Sequence, residues 1–282
     1  MATRSGVLMT AQDLIGRITS GEPMTVLDVR WQLTEPDGRS AYLAGHLPGA
    51  VYVSLEDELS DHTVVGRGRH PLPSGPTLTA AARRWGVCDG RPVVVYDDWN
   101  RAGSARAWWV LRAAGLTDVY ILDGGLAGWK AAGGPLDTGA VEPDAGDVTL
   151  SHDDLYAGAM PTLSADEVDT VLLLDARAPE RFRGDVEPVD PVAGHIPGAR
   201  NLPSTAVLAG DGTFLADTEI DAQLARRGVG DAQAVGVYCG SGVTAAVAIA
   251  ALTARGRPAA LFPGSWSQWS SDPTRAVARG PQ

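Results

Sequence analysis

The chain carries the same pattern twice, and this limits its fold more than any single motif. Val26-Leu27-Asp28-Val29-Arg30 returns as Leu173-Leu174-Asp175-Ala176-Arg177, 147 positions later. Ala44-Gly45-His46-Leu47-Pro48-Gly49-Ala50 returns as Ala193-Gly194-His195-Ile196-Pro197-Gly198-Ala199, 149 positions later. Val93-Val94-Val95-Tyr96 is answered by Val235-Gly236-Val237-Tyr238, and Gly128-Trp129 by Gln268-Trp269. A near-constant offset across several motifs is the signature of a duplicated domain. The 282 residues give each copy an ordinary domain length.

Each copy reads as α/β. Thr25 to Leu27, Val51 to Val53, Val93 to Tyr96 and Val119 to Leu122 are short β-branched runs, too short for helices and suited to buried strands. Ala-, Leu- and Arg-rich stretches between them, such as Ala105 to Ala114 and Thr244 to Ala254, read as helices. Thr10-x-x-Asp13 and Ser164-x-x-Glu167 have the form of helix N-termini. Strands alternating with helices imply, in each copy, a parallel sheet with helices on both faces. The Gly-, Pro- and Asp-rich stretch after Gly133 reads as a linker. The expected division is a first domain over 1–133, a linker over 134–161 and a second domain over 162–282.

Charge and composition exclude several functions. With 23 basic and 34 acidic residues the net charge is −11, which argues against non-specific nucleic-acid binding. No apolar run approaches the ~18 residues of a membrane span, and the N-terminus lacks the form of a secretory signal, so the expected location is the cytoplasm. The two cysteines, Cys88 and Cys239, lack disulfide-framework or zinc-site spacing and suit a reducing compartment.

Duplication supplies an internal control: residues in both copies serve the fold, and residues in one copy are candidates for chemistry. Asp28 and Asp175, Arg30 and Arg177, and His46 and His195 fall in the shared set. The Gly-His-x-Pro-Gly runs therefore read as structural turns. The copies diverge after the strand ending in Tyr. Tyr96 is followed by Asp97-Asp98-Trp99-Asn100, whereas Tyr238 is followed by Cys239-Gly240-Ser241-Gly242-Val243-Thr244. A cysteine at the carboxyl end of such a strand, ahead of a helix, meets backbone amides and a dipole that favour negative charge. The glycines allow those amides to curl around whatever the sulfur carries. Cys88, in Gly86-Val87-Cys88-Asp89-Gly90, has no such setting and reads as structural.

With these residues in hand, the whole chain resembles tandem rhodanese-domain sulfurtransferases, in which an inactive first domain packs on an active second one. The motifs that carry the likeness are Gly-His-Ile-Pro-Gly (194–198), Cys-Gly-Ser-Gly-Val-Thr (239–244) and Gly264-Ser265-Trp266-Ser267-Gln268-Trp269. The loop is similar to that of 3-mercaptopyruvate sulfurtransferases; thiosulfate-preferring members more often carry Arg and Lys after the cysteine. The resemblance implies a persulfide on Cys239, with Asp97 at the dead position of the first copy. It implies donor binding by Arg181, Gly240, Gly242, Val243 and Thr244, and assistance from Ser241, Asp57 and His70. Arg181 has Thr34 as its counterpart in the first copy, and Asp57 has Ala206 in the second, so neither is a repeated residue.

The implied partners are a small-molecule sulfur donor and a thiol, thioredoxin-like or cyanide acceptor, with no metal or organic cofactor, nucleic acid or membrane. One departure stands out. The family's second substrate arginine is missing: Asp190 takes its place, and Arg183 is the candidate replacement. With Gly240 and Ser241 uncharged, the loop rim is expected to lack cations and so to favour mercaptopyruvate over thiosulfate. Three alternatives remain: a thiosulfate:cyanide sulfurtransferase, a non-catalytic scaffold, and a cysteine phosphatase. The last needs Arg six positions after the cysteine, where Ala245 stands.

Overall fold

The computed structural model describes residues 3–230 and 233–281. Met1 and Ala2, the start of the stretch read for a leader, lie outside the described residues. In the first copy β1 (Leu8–Met9), α1 (Ala11–Ser20), β2 (Thr25–Asp28), α2 (Arg39–Ala44), β3 (Val51–Tyr52), α3 (Leu55–Glu58) and α4 (Gly75–Arg84) follow one another. Then come β4 (Val93–Tyr96), α5 (Ala102–Ala113), β5 (Val119–Leu122) and α6 (Gly125–Ala131). The second copy has β6 (Leu172–Asp175), α7 (Pro179–Arg183), β7 (Arg200–Asn201), α8 (Asp217–Arg226), β8 (Val235–Tyr238), α9 (Ala245–Ala254), β9 (Ala260–Leu261) and α10 (Ser265–Trp269).

Both sheets are parallel, ordered β1-β5-β4-β2-β3 and β7-β6-β8-β9. The central strands β4 and β8 correspond, so Asp97 and Cys239 leave equivalent strand ends. All four residues of each are buried, as continuous apolar runs in a covered parallel sheet require. One face of the first sheet carries α1 and α6 over Leu14, Val94 and Trp129. One face of the second packs Phe182, Phe262 and Trp266. The remaining faces meet in a single shared core through α5 and α9.

Helix α9 is buried along its whole length, and α5 everywhere but Arg112. A helix apolar all round is a core helix, here held between its own sheet and the other domain. The N-terminus at Thr10 forms as read, with the Thr10 side chain accepting from the Asp13 amide at 3.1 Å. Ser164-x-x-Glu167 does not open an α-helix. Glu167 accepts from the Ser164 amide at 2.8 Å, yet only a 3-10 turn (Val168–Thr170) fits before β6 begins. The 134–161 stretch runs as a strap along the first domain, with the Gly146 amide on Arg83 O at 2.8 Å and the Ala159 amide on Ala113 O at 2.8 Å.

The residues shared by both copies have the same work in each. Arg30 forks onto Asp28, and Arg177 onto Asp175 at 2.7 Å. Tyr96 and Tyr238 each accept an amide from the Gly-His-x-Pro-Gly turn of their own copy, at 3.1 Å in both. His46 stacks on Tyr42 and bonds Leu47 O and Gly139 O; His195 stacks on Phe182 and bonds its carbonyl at 2.7 Å. Both imidazoles are buried, and neither shares a cavity wall with Cys239. At the start of α5, Gly103 passes the Val29 carbonyl so closely that a Cβ would lie 1.9 Å from its oxygen. Gly103→Ala should therefore lower stability by about 1–3 kcal/mol or more through overpacking, read as a lower denaturant midpoint with unchanged m-value.

Candidate active site

Cys239 leaves β8 only 1% exposed, at the floor of a cleft between the domains. Its amide donates to Ser265 Oγ at 3.1 Å, and its carbonyl accepts from the Trp266 amide at 3.0 Å. Gly242, at φ 78°, turns the loop back so that its amide donates to Cys239 Sγ at 3.2 Å. A Cβ there would sit 2.5 Å from Pro263 O, so both conformation and space require glycine. The amides of Ser241, Val243 and Thr244 make no hydrogen bond within the described residues. They are the donors available to an outer sulfur.

The first copy shows what this loop geometry holds. There Asp97 puts its own carboxylate into the turn, accepting from the amides of Trp99 at 3.1 Å, Arg101 at 3.3 Å and Ser104 at 3.0 Å. Arg101, in the left-handed region at φ 64°, closes over it with an ion pair of 2.8 Å. In the first copy the loop is an anion cradle filled by the protein itself.

The first domain reaches across the cleft to the loop of the second. His70 Nδ1 lies 2.7 Å from Ser241 Oγ, and His70 Nε2 lies 3.1 Å from Glu56 Oε1. Glu56 also accepts from Trp31 Nε1 at 2.6 Å and faces the exposed His62 at 3.0 Å. The His70 hydrogen bond, joined by that of Trp31, holds the Glu56 carboxyl down to about 2 against its burial. Glu56 is therefore ionised, Nε2 carries the proton, and Nδ1 accepts from the Ser241 hydroxyl. Burial lowers His70 below the ordinary histidine value despite Glu56, aided by the charges of Arg106 and Arg69. The ring is neutral at physiological pH.

Behind the loop stands Arg106 of α5. It is fully buried and donates to Gly242 O at 3.3 Å, Leu59 O at 3.0 Å and His70 O at 3.0 Å. One guanidinium thus fixes the backbone of both His70 and the cradle. Burial pulls its pKa down to about 10, which leaves it charged near neutrality.

The cleft holds about 270 Å³, near the lower bound of small-molecule sites. Cys239, Gly240, Ser241, Val243, Thr244 and Arg181 line it, and Gly242 contributes its amide from below. Arg181 projects from α7 and pairs with Glu187 at 2.6 Å and Asp190 at 3.3 Å. Asp57 is not brought to the site. It is exposed, and its carboxylate takes the Ser54 hydroxyl at 2.7 Å at the start of α3; the neighbouring Glu56 is the carboxylate that meets His70. Arg183 turns outward to Asp185 at 2.7 Å. Cys88 is half-buried against Gly86 O at 3.7 Å, away from the cleft.

Sequence reasoning missed four first-domain residues: Glu56, Trp31, Arg106 and Arg69. The last lines the cleft and pairs with Asp190, so the rim expected to lack cations has two guanidinium groups beside it. A signal was present for Arg106, a lone cation inside the apolar Ala105 to Ala114 run. Arg69 adjoins the His70 already singled out.

The rhodanese-like domain model matches residues 10–132 and again 162–272. The chain belongs to the rhodanese-like family. It is 64% identical over 282 residues to the putative thiosulfate sulfurtransferase SseB of Mycobacterium tuberculosis, covering 99% of each chain. It is 45% identical over 285 residues to a probable 3-mercaptopyruvate sulfurtransferase of Pseudomonas aeruginosa, covering 98% of this chain and 99% of that one. Among solved structures, that of the 3-mercaptopyruvate sulfotransferase SseA from Escherichia coli superposes with a TM-score of 0.80 at 35% identity, over 92% of this chain and 98% of the other. The fold of this rhodanese-like chain is therefore the tandem α/β arrangement of sulfurtransferases. Among the described residues no helix is long and apolar enough to cross a membrane.

The cradle gives a direct test. Gly242→Ala loses the left-handed turn and its amide contact with Cys239. Alkylation of Cys239 by iodoacetamide at fixed neutral pH should slow, and sulfur transfer should fall at least about 10-fold, since one directed N–H on a developing charge is worth about that or more. Mass spectrometry of the Cys239 peptide reads the first quantity.

Proposed function

We propose that this chain is a 3-mercaptopyruvate sulfurtransferase that carries sulfur as a persulfide on Cys239. The supporting observation is the Ser241–His70–Glu56 hydrogen-bonded chain, whose Ser241 lines the same cleft as Cys239. Sulfite leaves thiosulfate with its electron pair and needs no proton. The carbon that leaves mercaptopyruvate is an enolate and needs one. A hydroxyl backed by a neutral, oriented imidazole is the means to move it.

In the proposed cycle the Cys239 thiolate attacks the donor sulfur and the S–C bond breaks, sending its electron pair into the enolate. The donor's S–H proton passes through Ser241 to His70 and returns to the enolate carbon, giving pyruvate. The outer sulfur stays on Cys239, facing the amides of Ser241, Val243 and Thr244. An acceptor thiol, a thioredoxin-like protein or cyanide then takes it, and Cys239 leaves as thiolate. Kinetics of this kind are ping-pong. The proposed compartment is the cytoplasm, where acceptor thiols are reduced. A second reading, thiosulfate as main donor, draws on the name of the 64% identical relative and on the two guanidinium groups at the rim.

Cys239→Ser should abolish transfer and Cys88→Ser should retain it, with one extra sulfur on the Cys239 peptide after donor treatment without acceptor. Persulfide found only on Cys88 would overturn the assignment. With both donors measured side by side, Ser241→Ala and His70→Gln should lower kcat/KM for mercaptopyruvate about 10²- to 10⁴-fold, the usual worth of general acid–base help, and thiosulfate turnover far less. Equal losses with both donors, or a wild type that prefers thiosulfate, would favour the second reading.

The pH profile adds a sign. The relay needs neutral His70, and burial lowers its pKa. Mercaptopyruvate activity should therefore persist below the ordinary ~6.5 and fall only as pH drops through the lowered value. Glu56→Gln removes the carboxylate that supports the imidazolium, so the acid limb should move further down while the rate falls. An acid limb that moves up in that variant would exclude Glu56 as the partner of His70.

A further inference from the structure

Two guanidinium groups from different domains converge beside Gly240. Arg69 comes from the loop before His70 in the first domain, and Arg181 from α7 in the second. Between them lies Asp190, its carboxylate nearly buried, bonded through Oδ1 to Arg69 Nη1 and through Oδ2 to Arg181 Nη2 at 3.3 Å. The other terminal nitrogens, Arg69 Nη2 and Arg181 Nη1, make no hydrogen bond within the described residues. Arg69 Nε is buried and unpartnered as well. A Cβ placed on Gly240 would lie 3.1 Å from Arg69 Nη2 and 3.6 Å from Arg181 Nη1. The two uncommitted nitrogens therefore meet at one spot, one residue beyond the nucleophile, on the wall of the cleft that holds Cys239.

We propose that Arg69 is a donor-binding residue, and that with Arg181 it forms a two-domain clamp for the carboxylate of an α-keto acid thiol. Asp190 is the bracket that holds both guanidinium groups from behind. Where the family pattern has a second-domain arginine, this chain has an acid that recruits an arginine from the first domain. A carboxylate seated beside Gly240 takes one N–H from each guanidinium, which directs the donor's sulfur-bearing end towards Cys239. Gly240 is glycine here because a side chain would fill the seat.

This inference rests on the donor reading above, and its test separates the two. In Arg69→Gln, KM for mercaptopyruvate should rise about 10- to 100-fold with kcat changed far less, as expected for lost charge-assisted binding. Asp190→Asn loosens the bracket but keeps both cations, so it should raise KM as well, by less than Arg69→Gln. An Arg69 that merely ties the domains together would give equal effects in the two variants, and that result would overturn the proposal. The second readout needs no turnover: the ratio of Cys239 alkylation by anionic iodoacetate to that by neutral iodoacetamide, followed on the Cys239 peptide. It should fall in Arg69→Gln and fall less in Asp190→Asn, where both cations remain. A ratio that depends on Arg69 in a chain that does not turn over mercaptopyruvate keeps the clamp and discards the donor. A folded Arg69→Gln with wild-type KM and wild-type ratio discards the clamp.

Discussion

The packing of α5 against α9 is the contact on which the site depends. Both helices are alanine-rich, so their backbones approach closely, and both are buried almost throughout. Neither domain can cover its own central helix alone, so each serves as the other's missing layer. Arg106 sits within this contact with backbone carbonyls for partners. Burying an unpaired cation is costly, and several well-placed carbonyls are what make it tolerable. The same bonds register Gly242 of one domain against His70 of the other, so the relay and the cradle share one frame.

The two copies fill the same loop differently. The first loop turns three amides inward after the central strand, and the second turns that of Gly242 onto Cys239 Sγ. The first copy satisfies its amides with Asp97 and seals them with Arg101, whose guanidinium lies where a Cβ on Gly125 would meet it at 1.6 Å. The second copy has the Cys239 sulfur at that place, with the amides of Ser241, Val243 and Thr244 unbonded among the described residues. The first domain supplies Trp31 and Arg69 to the cleft that holds Cys239, and His70 reaches Ser241.

What was legible in the sequence follows from how local each feature is. The strand ends, Cys239 and its glycines lie within a few consecutive residues, and their geometry is fixed by the loop itself. The repeated Asp, Arg and His residues read as structural by appearing twice; the Asp–Arg pairs recur in each copy, and each histidine is buried against an aromatic ring with its own carbonyl partners. Glu56 and Asp57 are neighbours on a single turn of α3, and which of them faces His70 depends on how that turn is rotated. Arg69 was hidden for a different reason: its role exists only once two domains are docked, and no spacing within one copy encodes it. The missing helix at Ser164 reflects length, since the cap chemistry is intact but β6 starts too soon.

The charge pattern at the cleft sets how a donor can be recognised. Arg69, Arg177 and Arg181 are matched by Asp175, Glu187 and Asp190, so this cluster is neutral before anything binds. The chain as a whole carries −11, so long-range attraction for an anion is absent. Selection must then come from short-range geometry, through nitrogens left uncommitted after the internal pairs are made. Burial, and the nearby Glu187, raise the Asp190 carboxyl against the opposing pull of Arg69 and Arg181. A second carboxylate arriving from the cleft side shares those guanidinium groups rather than displacing Asp190, because each presents a different nitrogen to each side. The arrangement suits a small anion with its charge at one end and its sulfur at the other.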